Sequence, residues 1–133
     1  MATVFEKLNL GGRQQIVVLC APESFAPELA KLPVMTIHHH LESVAEADFW
    51  LAFTTRKSEV DRLAAQIAKR ARGDAIVWFA YPKGSSKKYT CDFNRDTGWG
   101  AMKALGFDTV RSVAIDEDWT ALRFRRKEFI KRD

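Results

Sequence analysis

Cysteine is scarce in this sequence, and its placement excludes several kinds of site. Cys20 and Cys91 are the only two cysteines, and no Cys-x-x-Cys spacing occurs, so the sequence contains neither a zinc knuckle nor a thioredoxin-like redox motif. Isolated cysteines are typical of free thiols, and this residue type is among those most often found inside proteins. We therefore expect both thiols to be free and at least partly buried.

Long apolar runs are also missing. No stretch approaches the roughly 20 residues that a membrane-spanning helix needs, and the first residues lack the apolar segment of a signal peptide. The 133 residues, 47% of them hydrophobic and 29% charged, are typical of a soluble globular protein. The sequence thus predicts a single cytoplasmic domain over residues 1–133 that does not contact a membrane.

The net charge of +4 is unevenly distributed along the chain. Residues 83–95 have a net charge of +3 and residues 123–133 one of +4, so the rest of the chain has a net charge of −3. The basic character therefore belongs to one loop and to a carboxy-terminal tail that starts at about residue 126.

Short apolar runs bounded by turn residues predict the strands of a sheet. Three of them are continuous and are typical of buried strands: 16–20, 49–54 and 75–81. Residues 34–40 alternate imperfectly and are rich in β-branched residues, which predicts a further strand. Two further strands, 110–115 and 119–125, are separated by only three acidic residues, which predicts an antiparallel hairpin.

Helices are predicted between several of these strands. Residues 58–72 carry one apolar stripe at helical spacing, with Ser58 and Asp61 resembling a capping box and Gly73 as the stop. A shorter helix is predicted over 96–105, although Gly98 and Gly100 weaken it by roughly 1 kcal/mol each relative to alanine. The fold class is therefore α/β, with a mainly parallel sheet, helices on both faces and a final antiparallel hairpin. This layout resembles a truncated core of the class I methyltransferases, a Rossmann-like fold.

A basic loop follows the apolar run at 75–81 and is the strongest candidate for a binding site. It consists of Lys83, Gly84, Ser85, Ser86, Lys87 and Lys88. In open α/β sheets, ligands bind beyond the carboxyl ends of the strands, where lysines, hydroxyl groups and a glycine could hold phosphate or carboxylate. The loop is not a P-loop, since Gly-x-x-x-x-Gly-Lys-Ser/Thr is absent. A solvated loop without a ligand is the alternative interpretation.

The predicted hairpin turn contains a second candidate site. Asp116, Glu117 and Trp119 place carboxylates beside an aromatic ring, and carboxylates near a reacting centre can transfer protons. Acidic residues are also common in hairpin turns for purely local hydrogen bonding, and we favour that structural interpretation.

Other signals for catalysis or metal binding are weak. His38 and His40 share a face of a predicted strand, but no second group of ligands completes a metal site, and none is predicted. A Gly-x-Ser-x-Gly nucleophile elbow is absent. No catalytic residue is therefore assigned, and a non-enzymatic protein is favoured over an enzyme.

Two segments resemble a family of small uncharacterised bacterial proteins that contain a domain of unknown function. They are Val-Trp-Phe-Ala-Tyr-Pro-Lys at 77–83 and Ala-Ile-Asp-Glu-Asp-Trp-Thr-Ala-Leu-Arg-Phe at 114–124. The resemblance implies a degenerate methyltransferase-like fold but no activity. In such a fold a glycine-rich turn after the first strand would hold the cofactor, and the turn here, residues 20–25, contains no glycine. Glu42 is the candidate acidic residue for ribose. No cofactor is predicted, and S-adenosylmethionine is disfavoured.

The sequence leaves the function open among three classes. The favoured hypothesis is a non-catalytic α/β module that binds a small anionic ligand or a protein partner, including a second copy of itself. The first alternative is a small transferase that uses a methyltransferase-like crevice. Nucleic-acid binding is the least favoured class and rests on a pI of about 9.2 and on Arg123, Arg125 and Arg126.

Overall fold

The computed structural model describes residues 3–94 and 96–130. The helices are α1 (Val4–Lys7), α2 (Ala26–Ala30), α3 (Lys57–Arg70) and α4 (Gly100–Ala104). The strands are β1 (Gln15–Leu19), β2 (Thr36–His38), β3 (Ala47–Phe53), β4 (Ala71–Pro82), β5 (Phe107–Ala114) and β6 (Trp119–Arg126). Short 3₁₀ turns occur at Glu23–Phe25, Leu41–Ser43 and Lys127–Phe129. None of these helices is long and apolar enough to cross a membrane.

The six strands form one sheet in the order β2-β1-β3-β4-β6-β5. The first four are parallel to one another, and β6 is antiparallel to both of its neighbours, β4 and β5. Helices cover both faces of the sheet. The predicted α/β class, with a mainly parallel sheet and a closing hairpin, is therefore confirmed.

The alternation of side chains along the strands divides the core into two halves. On the α3 face, Trp50 and Phe79 pack against α3 and α4. On the α1 face, Phe49 and Trp78 pack against α1 and the segment at 23–32. Trp78 is completely buried, and its indole Nε1 donates a hydrogen bond of 2.9 Å to the backbone oxygen of Leu8. This bond ties α1 to the centre of the sheet.

Helix α3 begins with a different cap from the predicted pair of Ser58 and Asp61. Glu59 Oε1 accepts hydrogen bonds from the backbone nitrogens of Thr55 at 2.8 Å and Arg56 at 3.1 Å. Asp92 Oδ1 accepts a third, from the backbone nitrogen of Lys57 at 2.7 Å. These amides at the start of α3 are therefore satisfied by carboxylates of the chain itself.

Among the predicted boundaries that differ from the structure, two are wrong because a glycine has a different role from the one expected. Strand β4 starts at Ala71 and contains a bulge, since the register passes from Ala47 opposite Ala71 to Phe49 opposite Ile76. Gly73, with φ +55°, lies in this bulge and does not stop the helix. Helix α4 begins only at Gly100, because the preceding Gly98 has φ +89°.

Candidate functional site

The topology of the sheet has a switch point at β1. Strand β1 lies between β2 and β3. The chain passes from β1 to β2 across the α1 face, where Phe25 is buried, and from β2 to β3 across the α3 face, where Val44 is buried. In open α/β sheets, ligands bind beyond the carboxyl ends of strands at such a switch point. The candidate site therefore begins where β1 ends.

The turn after β1 has a backbone conformation that is unusual for its residue type. Cys20 follows β1 directly, has φ +58° and is exposed to solvent. The expectation that this thiol is at least partly buried is therefore wrong, because β1 ends at Leu19 and Cys20 lies in the turn beyond it. The left-handed conformation costs a residue with a Cβ roughly 1–2 kcal/mol, and such outliers cluster at ligand sites.

A row of aromatic rings runs along this edge from β1 toward the loop after β4. Phe25 lies 4.9 Å from Phe53, Phe53 lies 5.1 Å from Trp119, and Trp119 lies 4.9 Å from Tyr89, measured between ring centroids. Within the part of the chain that the structure describes, the buried Nε1 of Trp119 has no hydrogen-bond partner. The sequence does not distinguish Phe25 and Phe53 as site residues, because single aromatics in apolar runs look like ordinary core.

The loop after β4 borders a cavity of about 270 Å³. Three of the residues predicted to bind an anion, Lys83, Gly84 and Ser86, line this cavity. The other three, Ser85, Lys87 and Lys88, are solvent-exposed residues of the same loop. Tyr89, the last ring of the aromatic row, and the half-buried Cys91 also line the cavity.

The hairpin turn holds this loop in place. Ser86 Oγ donates a hydrogen bond of 2.8 Å to Asp118 Oδ1, and the backbone nitrogen of Lys83 donates one of 2.8 Å to the backbone oxygen of Asp118. Asp116 Oδ1 accepts from the backbone nitrogens of Asp118 and Trp119, both at 2.8 Å. The structure thus brings the two predicted sites together, and these contacts of Asp116 are the local turn bonds that the sequence favours. Glu117 is exposed.

Glu42 is not placed where a ribose-binding carboxylate would be needed. Strand β2 ends at His38, which pairs with Val17, two residues before the end of β1. Glu42 therefore lies in the connection back across the α3 face and lines a cavity with Lys69 and Arg70, at the far end of α3. His38 Nδ1 lies 3.1 Å from Ser43 Oγ, and the described residues include no group of three or more metal-ligating side chains.

Comparison of the structure with solved structures identifies the fold. It is similar to phosphoethanolamine N-methyltransferase 2 of Haemonchus contortus bound to S-adenosylmethionine, with a TM-score of 0.58 and 10% identity over 92% of this chain. It is also similar to LepI bound to S-adenosylmethionine, with a TM-score of 0.56, 10% identity and 92% coverage. It is similar as well to the fibrillarin pre-rRNA processing protein of Methanococcus jannaschii, with a TM-score of 0.52 and 13% identity. That match covers 84% of this chain and 56% of the fibrillarin chain.

These similarities show a class I methyltransferase-like fold, and at such low identity they show the fold alone. The matches cover only 37% of the nematode enzyme and 39% of LepI. No protein-family model matches the sequence, and no curated protein matches it significantly. Membership of the family of small bacterial proteins therefore stays a prediction.

The expectation of no cofactor is wrong in the light of these structures, because two of the three are complexes with S-adenosylmethionine. In the sequence the missing glycine argues against a cofactor turn, yet Cys20 adopts the left-handed conformation that glycine would supply. The missing glycine therefore does not exclude such a ligand, whereas Glu42 does not lie at the same edge of the sheet.

The two cysteines should differ in reactivity. Burial, reinforced by the negative charges of Asp92 and Glu59, raises the pKa of the Cys91 thiol above its usual range, although a hydrogen bond from the Phe93 backbone opposes this. Cys20 is exposed. We expect N-ethylmaleimide at pH 7.5 to modify Cys20 about tenfold faster than Cys91, as followed by peptide mass spectrometry. Equal rates would show that the loop around Cys91 opens freely.

Proposed function

We propose that this protein binds an S-adenosyl ligand in the crevice at the carboxyl ends of β1 and β3, as a small transferase of the methyltransferase-like fold. The observation that supports this most directly is the exposed, left-handed Cys20 at the switch point of the sheet. The solved complexes of the same fold with S-adenosylmethionine support it independently.

The turn after β1 is the part of the chain that would hold the ligand. Its backbone amides, starting with Cys20 and Ala21, would bind the polar end, and the cofactor would supply an activated methyl group. A carboxylate that binds the ribose contributes roughly 1.5–3 kcal/mol to the binding free energy. Glu42 cannot make this contact, because it lies beside Lys69 and Arg70 at the far end of α3. We therefore expect binding to be about ten- to a hundredfold weaker than with that carboxylate in place.

The cavity beside the loop after β4 would take the second ligand. It lies at the other end of the aromatic row, and its lining includes Lys83 and Gly84. A cation at the wall of a cavity favours an anionic occupant. The second ligand, whether an acceptor or a regulatory molecule, is therefore proposed to be a small phosphate or carboxylate compound.

Titration of the ¹⁵N-labelled protein with S-adenosylhomocysteine tests the first part of this proposal. We expect the amide signals of Cys20, Ala21 and Glu23 to shift and the Cys20 thiol to be protected from N-ethylmaleimide. Cys20→Gly should keep the binding, because glycine adopts φ +58° without strain, whereas Cys20→Val should weaken it at least about tenfold.

A matched control separates binding from strain. Asn9 also has a positive φ, +64°, but lies before β1 and next to Leu8, whose backbone oxygen contacts Trp78 at the centre of the sheet. Asn9→Val should therefore lower stability to a similar extent as Cys20→Val while leaving the binding of S-adenosylhomocysteine unchanged. Signals of the turn that stay in place at millimolar ligand would contradict the proposal.

The loop after β4 has its own test. Titration with inorganic phosphate or succinate should shift the amide signals of Gly84 and Ser86, and Lys83→Gln should weaken this response. Lys87→Gln removes the same charge from an exposed position of the loop and should have a smaller effect. Equal effects of the two substitutions would indicate general charge attraction and contradict a built site.

A further inference from the structure

Arginines are concentrated on the α1 face of the hairpin, away from the crevice. Arg111 of β5 stands directly opposite Arg123 of β6, and Arg123 stands opposite Trp78 of β4. Arg125 follows two residues later in β6, so its side chain leaves the strand on the same side. Arg13 also lies close enough for its charge to act on Arg123. Three guanidinium groups therefore belong to one face of the hairpin, and that of Arg13, in the loop before β1, adds a fourth charge near them.

Among the described residues, carboxylates contact only two of these arginines. Arg125 donates two hydrogen bonds to Asp74, at 2.8 and 2.6 Å. These hydrogen bonds are the main reason why the pKa of Asp74 lies below its usual range. Arg13 Nε lies 3.4 Å from Asp48 Oδ1. Arg125 is therefore paired through hydrogen bonds, whereas Arg13 has a carboxylate nearby although its buried Nε has no hydrogen-bond partner among the described residues.

The other two arginines lack a carboxylate among residues 3–94 and 96–130. Arg111 Nη1 donates to the neutral Oδ1 of Asn9 at 3.0 Å, and its guanidinium lies 6.0 Å from the ring of Trp78. Arg123 Nε is buried and has no hydrogen-bond partner within these same residues. Burial, followed by the charges of Arg125, Arg111 and Arg13, lowers the pKa of Arg123, with Asp74 opposing.

This arrangement costs stability in the absence of an anion. Like charges directly opposite each other on neighbouring strands repel, and a buried donor without a partner loses its hydrogen bonds to water. A phosphate group would offset the repulsion through its negative charge, and its oxygens match the planar fork of a guanidinium.

We propose that Arg111 and Arg123 form a binding site for a phosphate group on the α1 face of the hairpin. The site is separate from the crevice at the carboxyl edge and does not depend on the function proposed for it. Arg125, which is held by Asp74, and Arg13, which lies beside Asp48, add positive charge near the site.

The first test compares thermal unfolding in sodium phosphate and in sodium chloride at equal ionic strength. At a phosphate concentration about ten times the dissociation constant, the midpoint for the wild-type protein should rise by about 3–5 °C. The double variant Arg111→Gln/Arg123→Gln should lose this rise. The control Arg62→Gln/Lys69→Gln removes the same charge from exposed positions of α3 and should keep it. An equal rise for both double variants would overturn the proposal.

A second readout does not depend on stability. The Nε–H signals of Arg111 and Arg123 should shift during a titration of the wild-type protein with inorganic phosphate, while that of Arg62 stays in place. Binding of S-adenosylhomocysteine should be the same in the Arg111→Gln/Arg123→Gln variant as in the wild type, so the two proposals can fail separately. An Arg123 signal that does not respond to phosphate would overturn the site.

The source of the phosphate group is distinguished by adding adenosine monophosphate or a ten-nucleotide single strand. With nucleic acid as the source, the oligonucleotide should bind far more tightly than the mononucleotide, and each Gln substitution should reduce the salt slope by about 1. With a small molecule as the source, the mononucleotide should bind as well as the oligonucleotide. If the double variant binds inorganic phosphate, adenosine monophosphate and the oligonucleotide as tightly as the wild type does, the proposal is wrong.

Discussion

Replacing Trp78 with alanine is expected to lower the free energy of unfolding by about 4 kcal/mol. Trp78 is one of the largest completely buried side chains, it lies in the strand between β3 and β6, and it holds α1 through the backbone of Leu8. Its removal leaves a large cavity between α1 and the sheet. Urea unfolding followed by circular dichroism measures the effect.

Two substitutions calibrate this result. Trp78→Phe keeps most of the buried ring but loses the hydrogen bond to Leu8, which should cost about 1–2 kcal/mol. Val110→Ala affects a side chain that is 38% exposed and should change stability by no more than about 0.5 kcal/mol. A cost below about 1 kcal/mol for Trp78→Ala would mean that α1 is not a structural part of the core.

Replacing Gly98 with alanine is expected to cost about 3 kcal/mol, because backbone strain and a steric clash add. Gly98 has φ +89°, and a Cβ there would lie 2.7 Å from Cβ of Phe93. Phe93 is buried and lies 5.1 Å from Trp99, which leaves it little room to move. The variant should therefore loosen the carboxyl side of the loop after β4, and urea unfolding measures the loss of stability.

Gly100→Ala is the matched control two residues away. Gly100 has a helical position at the start of α4, and no atom of the described residues outside its own helical turn lies within 4 Å of the point that a Cβ would occupy. The change to alanine should stabilise the protein by about 0.5 kcal/mol, because alanine has the higher helix propensity. Effects of equal size and sign in the two variants would contradict the close contact at Gly98.

Much of the sheet can be predicted from the sequence because its strands are apolar runs with clear limits. The start of β4 cannot, because Arg72, Gly73 and Asp74 look like a turn and in fact form a bulge within the strand. The exposure of Cys20 escapes prediction for a related reason. Left-handed turns are usually signalled by glycine or asparagine, and here a cysteine adopts that conformation.

The candidate site can be predicted only in pieces. The sequence indicates a loop at Lys83 and Ser86 and a turn at Asp116, but the contact of Ser86 with Asp118 spans 32 residues and depends on β6 pairing with β4. The predicted position of Glu42 is wrong because the strand before it is only three residues long. Local patterns carry no information on such distances across the sheet.

The position of β6 has a consequence for synthesis. This strand is the last of the six to leave the ribosome, yet it belongs between β4 and β5, which are both made earlier. Until β6 arrives, the nascent chain presents the open edge of β4, including the apolar residues from Ala75 to Tyr81, and an exposed apolar edge of this kind promotes association between chains. Folding of the sheet is therefore completed only after translation of its final strand, and chains that stop before Trp119 should aggregate.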